Sequence, residues 1–289
     1  MTSRPAGDVS VTSVDRLTGE RTVIVGARQA RPNLPVDDCP FCPGGLEAPE
    51  PYDVRWFPNR FPPLPGGRAE VVLYSPDHDA SLGSLTPADV ARLVALWAER
   101  TVDLGIRDDV DYVLVFENRG AEVGATIAHP HGQIYGFDEV PPAALAELAG
   151  DGCALCEEEP GERLVAVAGG WRAWVPAAAT WPYGLVLAPS DHVADLPGAV
   201  SSHAELAALL VDVFGRLDRL FDAPMPLMWW WHQRPTDGRP WPAAHLHAHV
   251  APLLRRPGTP RYVAAGELGS GVFFNPVRPE DAAGQLRGA

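Results

Sequence analysis

Apolar residues recur at helical spacing through residues 86–104, at Val90, Leu93, Val94 and Trp97. They do so again through 202–221, at Leu206, Leu209, Leu210, Val213, Phe214 and Leu217. Each run opens on a hydroxyl residue with an acid three positions later, Thr86 with Asp89 and Ser202 with Glu205. That pairing predicts a capped helix start, and Pro87 strengthens the first. Residues 112–116 and 227–231 are short apolar runs of strand type. The segments ending at His78 and His192 also read as strands. Each half is therefore strands, helix, strand, loop and a histidine-bearing strand. This order predicts an α+β fold, a mostly antiparallel sheet or half-barrel with flanking helices. Residues 140–152 and the tail after Arg256 read as linkers.

The elements repeat. Cys39-x-x-Cys42 is matched by Cys153-x-x-Cys156 at an offset of 114, and His78 by His192 at the same offset. The block 128–133 is matched by 244–249, and the two helix starts by each other, at an offset of 116. Several kinds of landmark in one order at nearly one offset indicate internal duplication. The division falls at 1–140, a first repeat carrying His129-Pro130-His131-Gly132-Gln133, and 141–289, a second repeat. The two halves are expected to share one sheet or barrel.

The histidine block carries the sharpest chemistry. Two histidines one residue apart point to one side of an extended chain. Proline between them fixes a backbone angle and removes an amide hydrogen. Gly132 reads as room for a ligand close to the backbone. One imidazole can attack phosphorus while its neighbour is anchored, and the Gln133 amide can hold the phosphate or stabilise its charge. In the second half His245-Leu246-His247-Ala248-His249 keeps a third histidine, so a hydrolase acting through His247 is a competitor.

Both cysteine pairs suit metal. Pro40 and Pro43-Gly44-Gly45 make the first a knuckle-like turn rather than a redox pair opening a helix. Tetrahedral zinc needs two further ligands. His78 and His129 supply them to Cys39 and Cys42; His192 and His245 supply them to Cys153 and Cys156. Zinc is expected at one or both sites. An alternative second set, Glu147, His232, His247 and His249, would suit zinc or iron through nitrogen and oxygen, and because His245 belongs to the cysteine set both could coexist.

Composition narrows the classes. The net charge of −14 argues against a nucleic-acid or anionic-membrane partner. All 23 basic residues are arginine, which excludes a lysine Schiff base or P-loop lysine. No apolar run is long enough for a membrane helix, and no signal sequence is seen. The expected location is cytoplasmic.

With Asn59-Arg60-Phe61-Pro62, Ser75-Pro76-Asp77-His78, Phe116-Glu117-Asn118-Arg119-Gly120 and Trp231-His232, these motifs resemble the galactose-1-phosphate uridylyltransferase family. That is the transferase branch of the histidine-triad superfamily, and the similarity runs from about residue 15 to 285. The resemblance implies a duplicated histidine-triad fold, a homodimer, and UMP transfer from UDP-glucose to a hexose 1-phosphate (galactose 1-phosphate) through a uridylyl-histidine. It carries the nucleophile to His131 and phosphate-binding roles to Asn118, Thr126 and Gln133. It also places Arg28 and Arg31 near phosphate, Asn59 and Phe61 near the nucleotide, and Glu267 at the sugar. Ala125 and Thr126 stand where the family often has cysteine and serine. Cys153/Cys156 and the run 266–276 look more like the ADP-glucose phosphorylase branch. An adenylyl-transferring phosphorylase or a dinucleotide hydrolase is therefore the alternative.

Overall fold

A computed structural model describes residues 10–26, 39–150 and 152–289. In the first half, β1 (Val11–Val14) and β2 (Arg21–Ile24) form a separate hairpin. Next come β3 (Arg55–Pro58), β4 (Ala69–Leu73), α1 (Pro87–Gly105), β5 (Tyr112–Arg119) and β6 (His131–Phe137). The second half begins with α2 (Pro142–Leu148) and α3 (Ala154–Glu157), then β7 (Leu164–Ala168), β8 (Trp171–Trp174) and β9 (Leu185–Pro189). It continues with α4 (His203–Arg219), β10 (Leu227–His232) and β11 (His247–Pro252). The ribbon β12 (Leu254–Arg256) and β13 (Thr259–Pro260) precedes α5 (Ala265–Ser270) and α6 (Pro279–Gly288).

Nine strands make one sheet in the order β3-β4-β6-β5-β10-β11-β9-β8-β7. Every pairing in it is antiparallel. The repeat is visible in that order. β3-β4-β6-β5 is mirrored by β10-β11-β9-β8, so the halves meet where β5 pairs with β10. They share a core: Val94 and Trp97 of α1, Leu210 and Phe214 of α4, and Trp229 and Trp231 of β10 belong to one buried cluster. α1 and α4 pack together on one face of the sheet.

The other face carries the polar chemistry. Register pairs join Val71, Gln133, Phe116, Trp230 and His249 into one row crossing five strands. Residues paired across a sheet project to the same side. The histidines of both repeats therefore share one face.

Several boundaries differ from the sequence reading. The first cap forms as expected: Thr86 Oγ1 accepts from the Asp89 amide, and the Asp89 carboxylate accepts from the Thr86 amide. The second does not. The turn 197–202 leads into α4, and Ser202 Oγ instead donates to the Ala199 carbonyl and accepts from Trp171 Nε1. Glu205 turns away to accept from the Gly170 amide. Within the stretch read as a linker at 140–152, Pro142–Leu148 form α2. The tail is no linker: Ala282, Ala283 and Leu286 of α6 enter the shared core. The strands read as ending at His78 and His192 end at Leu73 and Pro189, and both histidines sit in the following loops. Among the described residues, no helix is long and apolar enough to cross a membrane.

Candidate active site and metal clusters

β6 begins at His131, directly after Pro130. The Tyr74 amide donates to the Pro130 carbonyl at 3.1 Å and holds that entry. Proline suits the first step of a strand because no ladder amide is lost. Along β6, residues 131, 133, 135 and 137 are half-buried and the residues between them are buried. His131, Gln133 and Tyr135 thus lie on the polar face.

His131 Nδ1 lies 2.7 Å from the His129 carbonyl oxygen. The nitrogen must donate to that acceptor, so the neutral ring keeps its lone pair on Nε2. The edge of Phe41 packs against the His131 ring, with centroids 5.1 Å apart. His131 and Asn118 line a small cavity together. Next to it opens a cleft of about 660 Å³ lined in part by His78, Arg119, Thr126 and Asp218. On the other side Gln133, Phe41, Phe57, Asn59, Phe61 and Ile127 line a cavity of about 210 Å³.

Gly132 does not serve a ligand. A Cβ there would lie 2.2 Å from the Tyr74 hydroxyl and 2.9 Å from the Phe116 carbonyl oxygen, both within the fold. The residue is glycine because Tyr74 fills the space beneath the strand.

Behind His131, the ligand atoms of Cys39, Cys42, His78 and His129 all lie within 4.8 Å of one another. Cys42 Sγ is 3.5 Å from His78 Nδ1 and 3.6 Å from His129 Nδ1. His129 Nε2 donates to the Ser75 carbonyl at 2.8 Å, with the Tyr52 hydroxyl 2.9 Å away. Tyr52 in turn donates to the Phe41 carbonyl at 2.7 Å. The His129 Nδ1 lone pair thus faces the sulfurs, as a metal ligand's should. Burial lowers the pKa of His129, which keeps the ring neutral. Burial, then the neighbouring Cys39, raises the Cys42 thiol pKa, so two thiolates there need a cation. The donor set fits tetrahedral zinc.

The second repeat reproduces this group. Cys153, Cys156, His192 and His245 converge in the same way. Cys153 Sγ is 3.1 Å from His245 Nδ1, and Cys156 Sγ is 3.3 Å from His192 Nδ1. His245 Nε2 donates to the Pro189 carbonyl at 3.0 Å, the counterpart of the His129–Ser75 bond. Burial pushes the His245 pKa down to about 4. Unlike the first pair, this one does open a short helix, with Cys153 before α3.

A third group coexists with the second instead of replacing it. Glu147 Oε2 is 2.5 Å from His232 Nδ1 and 3.1 Å from His247 Nε2, and Oε1 is 3.1 Å from His249 Nε2. Burial works against ionising Glu147, but the bonds from His232, His247 and His249 prevail and hold its carboxyl far below the usual range. Trp230 stacks on His249 at 5.3 Å. His247 repeats the presentation of His131, with Nδ1 2.7 Å from the His245 carbonyl. Its Nε2, however, faces Glu147.

Glu267 stands apart from this geometry, and two further sequence-read residues cannot be compared with it. Arg28 and Arg31 lie outside the described residues. Glu267 is buried and lines none of the cavities beside His131. Its carboxylate accepts from Arg261 at 2.5 Å and from the amides of Ala264 and Phe274 at 2.9 Å each. The sequence reading missed Tyr52 and Tyr135. Strand alternation could have found Tyr135, two residues beyond Gln133. Tyr52 reaches its partners from a loop and left no local signal.

Known proteins bear on this arrangement. The sequence pattern described as galactose-1-phosphate uridyl transferase, N-terminal domain, matches residues 63–141, and that of the C-terminal domain matches 128–268. The galactose-1-phosphate uridylyltransferase of Thermotoga maritima is 35% identical, covering 94% of this chain and 96% of its own. That of Streptomyces lividans is 35% identical over 95% and 90%. The ADP-glucose phosphorylase of Arabidopsis thaliana is 26% identical over 89% of this chain. A solved uridylyltransferase superposes with a TM-score of 0.86 at 29% identity, covering 96% of this chain and 97% of that one. On this evidence the chain belongs to the galactose-1-phosphate uridylyltransferase family.

Proposed function

We propose that this protein moves UMP from UDP-glucose to galactose 1-phosphate in two displacements through His131. The His131 Nδ1 bond to the His129 carbonyl carries this reading, because it aims a neutral Nε2 lone pair out of the sheet. In the first step Nε2 attacks the α-phosphorus of UDP-glucose. A P–N bond forms, the P–O bond to the β-phosphate breaks, and glucose 1-phosphate leaves. In the second, a phosphate oxygen of galactose 1-phosphate attacks the same phosphorus, the P–N bond breaks, and UDP-galactose leaves with His131 restored. Gln133 stabilises charge on the phosphoryl group in flight. Asn118 and Thr126, with Arg28 and Arg31, hold phosphate. Asn59 and Phe61 border the nucleotide in the cavity shared with Phe41 and Phe57.

The metal assignments belong to the same proposal. Zinc is assigned to Cys39, Cys42, His78 and His129, and to Cys153, Cys156, His192 and His245. Zinc or iron is assigned to Glu147, His232, His247 and His249. Held by Cys39, Cys42, His78 and His129, a zinc ion would fix the knuckle that carries Phe41 and the residue whose carbonyl orients His131. The division at 140/141 then separates a repeat that carries both a zinc cluster and the catalytic histidine block from a second histidine-triad-like repeat. A cytoplasmic homodimer is the expected setting.

Isotope exchange between UDP-glucose and glucose 1-phosphate, without an acceptor, tests the reading. Exchange and parallel double-reciprocal lines support it; intersecting lines without exchange reject it. Exchange with ADP-glucose alone keeps the chemistry and moves the chain to the adenylyl branch, the second reading favoured by the additional Cys/His cluster.

A further inference from the structure

The orientation of the Gln133 amide is set by neighbouring residues, and the chain of bonds can be followed atom by atom. The Phe61 backbone amide lies 2.9 Å from Asn59 Oδ1. A backbone N–H only donates, so the Asn59 oxygen must face it. The Asn59 NH2 group then points the other way, and Nδ2 is 3.2 Å from Gln133 Oε1. If the Gln133 amide turned over, two NH2 groups would meet at that distance. The Tyr135 hydroxyl donates to the same Oε1 at 2.9 Å. Tyr135 is held by its ring: Phe116 packs edge-on at 4.7 Å, and Phe116 pairs with Gln133 across the sheet.

We propose that Asn59 and Tyr135 are positioning residues that fix the Gln133 amide with its NH2 toward the transferring phosphoryl group. The inference rests on the role proposed for Gln133. A glutamine amide has one donating and one accepting end, and only the donating end stabilises an anionic phosphoryl group. Free rotation would present the repulsive oxygen part of the time. Two donors on Oε1 remove that state before substrate arrives. The relay also ties phosphate to nucleotide, because Asn59, Phe61 and Gln133 line one cavity.

The test is a double-mutant cycle on the single-turnover rate of nucleotidyl transfer from UDP-glucose to the protein. Asn59→Asp keeps an acceptor for the Phe61 amide but turns the donor into a second acceptor, which draws the Gln133 NH2 away from phosphate. It should slow transfer on the order of 100-fold, the scale for losing one oriented donor. Tyr135→Phe keeps the ring and should slow transfer roughly 2–10-fold, as for one neutral hydrogen bond. In a Gln133→Ala background the Tyr135→Phe effect should vanish, since no amide remains to orient, and the Asn59→Asp effect should shrink to what Asn59 contributes at the nucleotide itself. Equal losses in both backgrounds would overturn the proposal, because Asn59 and Tyr135 would then act independently of Gln133. If Asn59→Asp does not fold, the Tyr135→Phe cycle decides alone. A Gln133→Ala protein that transfers at the wild-type rate would reject both the role of Gln133 and this inference.

Discussion

His131 is tied to His129 through the latter's backbone: the Nδ1 of one lies 2.7 Å from the carbonyl oxygen of the other. The same peptide segment therefore offers an imidazole to the first Cys/His cluster and a hydrogen-bond acceptor to the residue on the polar face. Damage to the cluster should reach His131 without touching it directly.

Cys39→Ser should accordingly release about one equivalent of zinc and lower the melting temperature, because structural zinc contributes directly to folding. It should also slow nucleotidylation, since the His129 carbonyl loses its fixed place. Metal analysis beside single-turnover rates checks both. Unchanged zinc content would exclude Cys39 as a ligand. Full zinc loss with a wild-type rate would separate the cluster from catalysis.

Cys153→Ser and Glu147→Ala should each remove a different equivalent of metal, because the second and third clusters share no ligand. Total metal counted per chain decides this. If the wild type holds one metal or fewer, the assignments in the second repeat are wrong.

Gly132→Ala should destabilise the protein by about 1–3 kcal/mol, the usual range for overpacking a filled core. The new methyl would press on the Tyr74 hydroxyl at 2.2 Å. Tyr74→Phe should recover part of that loss in the double variant, and denaturant unfolding would measure it. If Gly132→Ala is neutral in stability and harms only substrate binding, the glycine serves the ligand after all.

Stability of the metal-free protein should fall with pH through the histidine range. His245 titrates near 4 when folded and near 6.5 when unfolded. A depressed folded value means the unfolded chain takes up the proton first. The stabilisation is therefore complete above about pH 6.5 and is lost as pH falls to about 4, on the order of 3 kcal/mol for this ring. His129, lowered by burial, works in the same direction. Chemical denaturation across that window checks it: a slope that survives His245→Asn undiminished would assign the loss to other groups.

Much of this site was legible in the sequence because its parts are local or repeated. Cys39-x-x-Cys42, the histidine block and their copies at fixed offsets name three ligand groups without any fold. α1 was readable from Thr86, Pro87 and its apolar spacing. What failed depended on tertiary contacts. Ser202 has the residue type of a cap, but Trp171 and Ala199 compete for its hydroxyl. Residues 140–152 look like a linker in composition, yet Glu147 is drawn in by three histidines and Ala144 is buried. The sequence already divides the histidines, His245 to the cysteines and His247 and His249 to Glu147, so that the two clusters can coexist; the fold adds the hydrogen bonds that hold each one.

The most direct measurement is the mass of the intact protein after exposure to UDP-glucose alone, followed by peptide mapping of any adduct. One uridylyl group per chain should appear, acid-labile, on His131. It should be absent from His131→Gly, while the metal content of that variant stays unchanged. An adduct that persists in His131→Gly, or that maps to His247, would contradict the account.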